Sequence, residues 1–281
     1  MTRSPRPAWA PDTVDIETPS VARIYDYLLG GSYNFPADRA VAEQSIAAWP
    51  DLPHLARANR AFLYRAVRFL SGAGIDQFLD LGAGIPTGGA VHDIARAHGR
   101  ESRTVYVDSD PVAVAHGEIL LQDSPDARVI QADLRDSETV LRHPAVAGYL
   151  DLARPVGVLM VSVLPWVPDE DDPAAIVARY RDAAIAGSYL ALSHGTGDFQ
   201  PVTTGRVASV YRQTSTPGTF RSREQITALM AGYELVEPGM VSIDRWRPEP
   251  GVEDPLGGDE ARYSMYAALG RKPARLRDRR W

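Results

Sequence analysis

The chain has 281 residues, 44% of them hydrophobic, with a formal charge of −6 and no cysteine. That balance leaves room for a sizeable core, argues against the basic face of a general nucleic-acid binder, and excludes disulfides, thiolate zinc sites and thiol nucleophiles. The opening MTRSPRPAWAPD lacks the apolar core of a signal peptide, and the longest apolar run, 156–167, is far short of the roughly 20 residues of a spanning helix, so a cytoplasmic protein with no membrane partner is expected.

Residues 1–18 are proline-rich and read as a flexible tail. SVARIYDYLLGG then sets Val21, Ile24, Tyr25, Leu28 and Leu29 on one helical face, and Gly30 and Gly31 stop the helix. Two more helices are predicted, over 36–49 and 52–72, the second with Leu55, Phe62, Ala66, Phe69 and Leu70 as its apolar stripe. From there strands and helices alternate. Strands are predicted at 76–81, 103–108, 127–133, 156–164 and 188–194. Helices are predicted at 88–99, 111–122, near 136–150, at 173–187 and at 222–232, where Ser222 and Gln225 form a capping box. Such alternation gives an α/β fold, a mostly parallel sheet with helices on both faces. The runs 233–243 and 262–269 are joined only by a Pro/Gly-rich loop, 247–259, which predicts an antiparallel edge. Residues 274–281 form a basic tail, which leaves 19–273 as the domain, divided into a helical cap (19–72) and a core (73–273).

Ligands of open parallel sheets sit at the C-terminal strand ends, and four such ends here carry acids or small polar residues. The first is Asp80-Leu81-Gly82-Ala83-Gly84, where glycines let backbone approach a ligand and the next helix offers free N–H groups. The second is Asp108-Ser109, suited to the two hydroxyls of a ribose. The third is Asp133-Leu134, where a carboxylate could accept the amine of adenine. The fourth, after 156–164, includes Ser162. A dinucleotide loop would read G-x-G-x-x-G, but Thr87 stands at the sixth position and Pro86 in the turn. Asp133 also has no role with NAD. S-adenosylmethionine (SAM) uses all three acids.

These features resemble a class I SAM-dependent methyltransferase. More specifically, PSVARIYDYLLGGSYNFPADRA, ANRAFLYRAVRFL, DLGAGIPT, VYVDSDPVAVAHG, ADLRD, VLPWVPDED and YELVEPGMVSIDRWRP resemble an actinobacterial SAM methyltransferase-like family, long treated as a domain of unknown function. The resemblance spans about residues 19–273. It implies a Rossmann-like fold with a seven-stranded, mostly parallel sheet and a reversed last strand, and SAM-dependent methyl transfer with S-adenosylhomocysteine as product. It implies no particular acceptor. Two positions depart from the family pattern: Pro165-Trp166 replaces a histidine–aromatic pair after the fourth strand, and Ala90 replaces an asparagine.

The methionine carboxylate of SAM needs a cation or free amides, and Arg60 is the candidate cation, with Arg23 and Arg39 as alternatives and Asn59 beside it. GGSYNF (30–35) suggests a lid, with Tyr25, Tyr33, Asn34 and Phe35 lining the site. His194, at the end of the fifth strand, is the candidate general base. His92 and His116 read as structural. Asp169, Glu170, Asp171 and Asp172 read as the solvated start of a helix, so no metal site is expected. The acceptor is expected to be a small molecule, and a homodimer is compatible with the sequence. A non-catalytic SAM binder and an NAD-dependent oxidoreductase stand as alternative readings.

Overall fold

The structure, a computed structural model, describes residues 14–86, 89–98, 101–212, 214 and 216–274. Thr87 and the segments 1–13 and 275–281 of the two expected tails lie outside the described residues. The elements run α1 (Val21–Leu28), α2 (Pro36–Ala48), α3 (Leu52–Gly72), β1 (Gln77–Leu81), α4 (Val91–Ala97), β2 (Arg103–Asp108), α5 (Pro111–Leu121), β3 (Ala127–Gln131), α6 (Ser137–Arg142), α7 (Pro144–Ala147), β4 (Gly157–Val161), α8 (Pro173–Ala183), β5 (Tyr189–Gly195), α9 (Pro201–Tyr211), α10 (Arg223–Leu229), β6 (Glu234–Leu235), β7 (Val241–Ser242), α11 (Glu260–Tyr263) and β8 (Met265–Arg271).

The sheet runs β3-β2-β1-β4-β5-β8-β6, with β7 also paired to β8. Strands β1 to β5 are parallel, and β8 is antiparallel to β5, β6 and β7. Two details differ from expectation. The described residues hold eight strands rather than seven, because the run 233–243 is split by Pro238-Gly239: proline has no N–H to give a ladder. The reversed strand also lies one place in from the edge, with two-residue β6 outside it.

Side chains alternate between the sheet's faces. Phe78, Tyr106, Leu159 and Ala191 join the core under α1 to α4 and α9. Leu79, Val105, Val107, Met160 and Leu192 join the core under α6, α8 and α10. The segment 195–221, read from sequence as loop, contains α9. Its threonines, valines and Gly205 are weak helix formers, and burial of Thr204, Val207 and Tyr211 holds it instead. The described end of the expected tail is packed as well. Val14 is buried with Phe35, Ile85 and Val112, and the Arg23 guanidinium donates to the carbonyls of Asp15 (3.2 Å) and Thr18 (2.6 Å).

Candidate cofactor and active site

The sheet order reverses between β1 and β4, and the crevice outside such a reversal is where doubly wound sheets hold ligands. A cavity of about 410 Å³ opens there. Tyr25, Asn59, Arg60, Asp80, Gly82, Ala83, Gly84, Asp108, Ser109, Asp133, Leu134 and Ser162 all line it.

Asp80 shares a face of β1 with Phe78, toward α3, which carries Arg60. Its carboxylate is buried and has no hydrogen-bond partner among the described residues. Burial raises its pKa to about 7; the Arg60 charge opposes that rise and the Asp108 charge adds to it. Asp80 therefore does not tie down the glycine loop. Asp108 does. It accepts from the N–H groups of Gly84 (2.7 Å) and Asp110 (2.8 Å), and burial raises its pKa to about 6 against those two bonds. Asp110 in turn caps α5 by accepting from Val112 N at 2.7 Å.

Gly82 and Gly84 both have left-handed backbone, at φ 72° and 64°. A Cβ on Gly82 would lie 2.1 Å from Val163 Cγ2, whereas one on Gly84 would meet nothing within 4 Å. The two glycines thus have different reasons to be there: close approach to the loop after β4 at Gly82, and backbone conformation at Gly84. Ser162, just beyond β4, is a non-glycine residue at φ 58°, an uncommon conformation that concentrates at functional sites. Its carbonyl accepts the Trp166 indole N–H at 3.0 Å.

Tyr25 is held by a relay. The Ser193 hydroxyl donates to Asn59 Oδ1 (2.6 Å), Asn59 Nδ2 donates to the Tyr25 hydroxyl (2.9 Å), and that hydroxyl donates to the Ala56 carbonyl (3.0 Å). Burial raises the Tyr25 pKa, partly offset by Asn59, so the phenol is neutral near pH 7. At the far end, both oxygens of Asp133 accept from the Arg135 guanidinium at 2.6–3.0 Å, and Arg135 also reaches Asp171 at 2.8 Å. Burial alone would raise the Asp133 pKa, but the bonds from Arg135 bring it below the ordinary value.

Several expected site residues are placed elsewhere. His194 is fully buried and does not line the cavity. It shares its sheet face with Leu190 and Leu192, away from α3. Its Nε2 accepts from Arg221 at 2.9 Å and its Nδ1 is 2.7 Å from the Gly195 carbonyl, and burial drops its pKa to about 3. No ring nitrogen is left to take a proton from an acceptor. Arg221 also binds the carbonyls of Leu164 and Val167 and the carboxylate of Asp169, so the pair braces the loop after β4. Arg23 lines the cavity but is committed to Asp38 at 3.0 Å, and Arg39 donates to Asn34.

The expected lid is a braced turn. Asp26 accepts from Tyr33 N (2.8 Å) and Asn34 Nδ2 (2.9 Å), Phe35 is fully buried, and the Tyr33 ring packs against His116 at a 45° tilt, 3.9 Å between centroids. Of the four residues assigned to the lid, Tyr25 lines the cavity; Tyr33, Asn34 and Phe35 do not. His92 pairs with the Tyr106 hydroxyl at 2.7 Å. Asp172 caps α8 through Ala175 N at 3.1 Å. Among the described residues no cluster of His, Asp and Glu could hold a metal ion, and no helix is long and apolar enough to cross a membrane. Sequence reading missed Asp15, Arg135, Tyr211 and Thr216, which also line the cavity; each arrives there from a segment read as tail or loop.

The sheet order with one reversed inner strand, and the acid-ended strands around the crevice, are those of a class I methyltransferase. The S-adenosyl methyltransferase family matches residues 7–273, and the chain belongs to that family. SAM is accordingly its cofactor. Two solved structures are similar over nearly their whole length. A candidate methyltransferase from Thermobifida fusca is 38% identical, with a TM-score of 0.89 over 95% of this chain and 100% of its own. A DUF574 family protein from Streptomyces avermitilis is 40% identical, with a TM-score of 0.88 over 92% and 99%. A search of curated proteins gives no match.

Proposed function

We propose that the 410 Å³ cavity holds SAM and that the chain transfers its methyl group to a small-molecule acceptor. The observation that carries this is the convergence of Asp80, Asp108, Asp133 and Arg60 on one cavity at the sheet's reversal point. Arg60 and Asp80 form a cation–anion pair of walls suited to the carboxylate and ammonium of the methionine end. Asp108 keeps lone pairs for the ribose hydroxyls while holding Gly84. Leu134 flanks the adenine, and Asp133 shares its carboxylate between Arg135 and the adenine amine. The fit is chemical as well as spatial: Asp80 is a buried carboxylate with no hydrogen bond among the described residues, and a cationic ligand group would stabilise its charged form.

When bound, SAM supplies a methyl carbon whose leaving group is a neutral thioether, so in-line attack by an acceptor lone pair needs no activation of that group. The chain's own contribution is to align the two reactants and exclude water. Neutral Tyr25, fixed by Asn59, and Trp166, fixed by the Ser162 carbonyl, wall the side from which an acceptor would enter. No general base is assigned; His194 is turned away, and an acceptor that is neutral after transfer, or that loses its proton to solvent, needs none.

Calorimetric titration with SAM, S-adenosylhomocysteine and NAD tests the reading. SAM and its demethylated product should bind and NAD should not. A ligand at about a hundredfold its Kd adds roughly 2.7 kcal/mol of stability, so thermal shift gives an independent check. No response to SAM would overturn the assignment of the cavity. SAM binding with no turnover on any acceptor would favour a non-catalytic binder.

A further inference from the structure

Behind the Tyr25–Trp166 wall lies a second, smaller chamber of about 80 Å³. It shares Tyr25, Asn59, Ser162, Trp166 and Tyr211 with the larger cavity. Among the described residues no charged side chain lines the chamber, and nearly all of its polar side chains are committed. Asn59 donates to the Tyr25 hydroxyl, the Trp166 indole donates to the Ser162 carbonyl, and the Tyr211 hydroxyl pairs with Ser45. The Ser264 hydroxyl donates to the Ala261 carbonyl, and the Trp49 indole N–H is sealed from both spaces. The one polar side chain left over is that of Ser162.

Ser162 is half-buried. Its hydroxyl has no hydrogen-bond partner among the described residues, yet it is not one of the sealed polar atoms of the interior. It therefore opens onto the two spaces that the residue lines. Its backbone is fixed on both sides. The N–H donates to the Ser193 carbonyl at 3.1 Å, the carbonyl accepts from Trp166 at 3.0 Å, and φ is held at 58°. Glycine takes up that conformation freely, whereas a serine there is strained. No hydrogen bond of the hydroxyl within the chain offsets the strain, and strain of this kind concentrates where a ligand is handled.

We propose that Ser162 Oγ positions the methyl acceptor, an uncharged molecule that buries an apolar part in the chamber and presents an amine or hydroxyl nucleophile at the shared wall. This rests on the reading that the larger cavity holds SAM. The absence of charge in the chamber walls selects an apolar, uncharged guest. Size sets how much of it enters: a dry cavity of about 150 Å³ holds one benzene, so about 80 Å³ takes the far half of such a ring or a short alkyl arm. The near half, with its nucleophile, stays at the shared wall, level with Ser162. There the acceptor N–H or O–H donates to Ser162 Oγ, which leaves the lone pair of the same atom for the methyl carbon. As the new bond to carbon forms, the carbon–sulfur bond breaks, its electron pair stays on sulfur, and the acceptor's proton passes to solvent on release.

The test titrates aniline, phenol and toluene, single rings that differ in one substituent and are uncharged near pH 7. Each is followed by ligand-observed NMR with the full chain and excess S-adenosylhomocysteine. Ser162→Gly removes the hydroxyl and suits the left-handed backbone, so the variant should melt no lower than the unaltered chain. It should weaken aniline and phenol about fivefold, the loss of one net hydrogen bond, and leave toluene within about twofold. A loss confined to aniline or to phenol assigns the nucleophile to nitrogen or to oxygen. Val207→Phe, which fills a buried wall of the chamber alone, should weaken all three. Equal loss of all three in Ser162→Gly, loss of none, or no binding by the unaltered chain would overturn the proposal, as would undiminished binding by a folded Val207→Phe chain. Calorimetry with SAM on the same samples separates the two readings. Ser162→Gly should bind SAM within about twofold of the unaltered chain, since one lost hydrogen bond would cost about fivefold; a loss of that size would give the hydroxyl to the cofactor instead. SAM binding without the probe pattern sinks the role of Ser162 alone, and the probe pattern without SAM binding sinks the cofactor assignment alone.

Discussion

The carboxylate of Asp108 accepts the backbone N–H of Gly84 at 2.7 Å, which ties the end of β2 to the loop that follows β1. One acid therefore has two tasks: shaping the glycine loop and, in the proposed complex, receiving the ribose. Asp108→Ala should raise the Kd for SAM by about a hundredfold, the loss expected for one or two charge-assisted hydrogen bonds. Asp108→Asn keeps an oxygen for Gly84 and should fall between. Calorimetry gives the Kd values. An unchanged Kd in Asp108→Ala would mean that the ribose is held elsewhere.

Gly82 and Gly84 look alike in sequence but should respond differently to substitution. Gly84→Ala adds only the strain of a left-handed residue, about 1 kcal/mol. Gly82→Ala adds that strain and a clash with Val163 at 2.1 Å, and overpacking costs ~1–3 kcal/mol more. Val163→Ala in the same chain should return part of the difference. Denaturant melts of the three variants and the unaltered chain measure it, and equal destabilisation at both glycines would show that the loop after β4 yields freely.

The parts of this site that were legible in the sequence are those fixed by local pattern. An apolar run that ends in an acid marks a strand end, in the first case with glycines after it, and three such ends in one parallel sheet must meet at one edge. Alternation along β5 was legible, but not which of its faces meets α3, and that is what decides against His194 as a base. On β5, Ser193 reaches Asn59 on α3, so its neighbour His194 must face the other way. What was not legible depends on distant packing. The strap at 14–18 is held by Arg23, and α9 is a poor helix former kept in place by what it buries. Arg135 sits over Asp133 only because the chain turns between β3 and α6. The motif around GGSYNF is specific for a structural reason: Asp26 would lie 2.0 Å from a Cβ on Gly31 and holds the turn by two hydrogen bonds.

Protonation of the acids should be visible in both stability and binding. Asp80 has a pKa of about 7 and Asp108 of about 6, against an ordinary 3.8. The folded chain thus holds protons that the unfolded chain has released. Stability then falls as pH rises, beginning near 4 and levelling off above about 7. A cationic ligand favours the ionised carboxylates, so SAM affinity should rise between pH 5 and 7 as that stability contribution falls. Above that, the ligand's own α-amino group, with a pKa of about 8, begins to lose its charge. Parallel melts and titrations across pH 5–8 check both slopes. In Asp80→Asn the SAM slope should flatten; a slope that persists there would assign it to another group.

His194 offers the sharpest separation of structure from catalysis. Arg221 donates to its Nε2 at 2.9 Å and to the carbonyls of Leu164 and Val167 at 2.9 and 2.7 Å, so the ring is one of several acceptors that hold this buried guanidinium. His194→Phe removes one acceptor and should cost about 1–3 kcal/mol of stability, while the Kd for SAM stays within about twofold because the ring lies on the far face of β5. Arg221→Met removes the donor from two carbonyls and the imidazole together. It should cost more, at least about 3 kcal/mol, and it should also weaken SAM binding, since the freed loop carries Trp166. Melts and calorimetry on both variants separate the cases. If His194→Phe melts like the unaltered chain yet binds SAM tenfold more weakly, the imidazole reaches the cavity and a role for it in the site is restored.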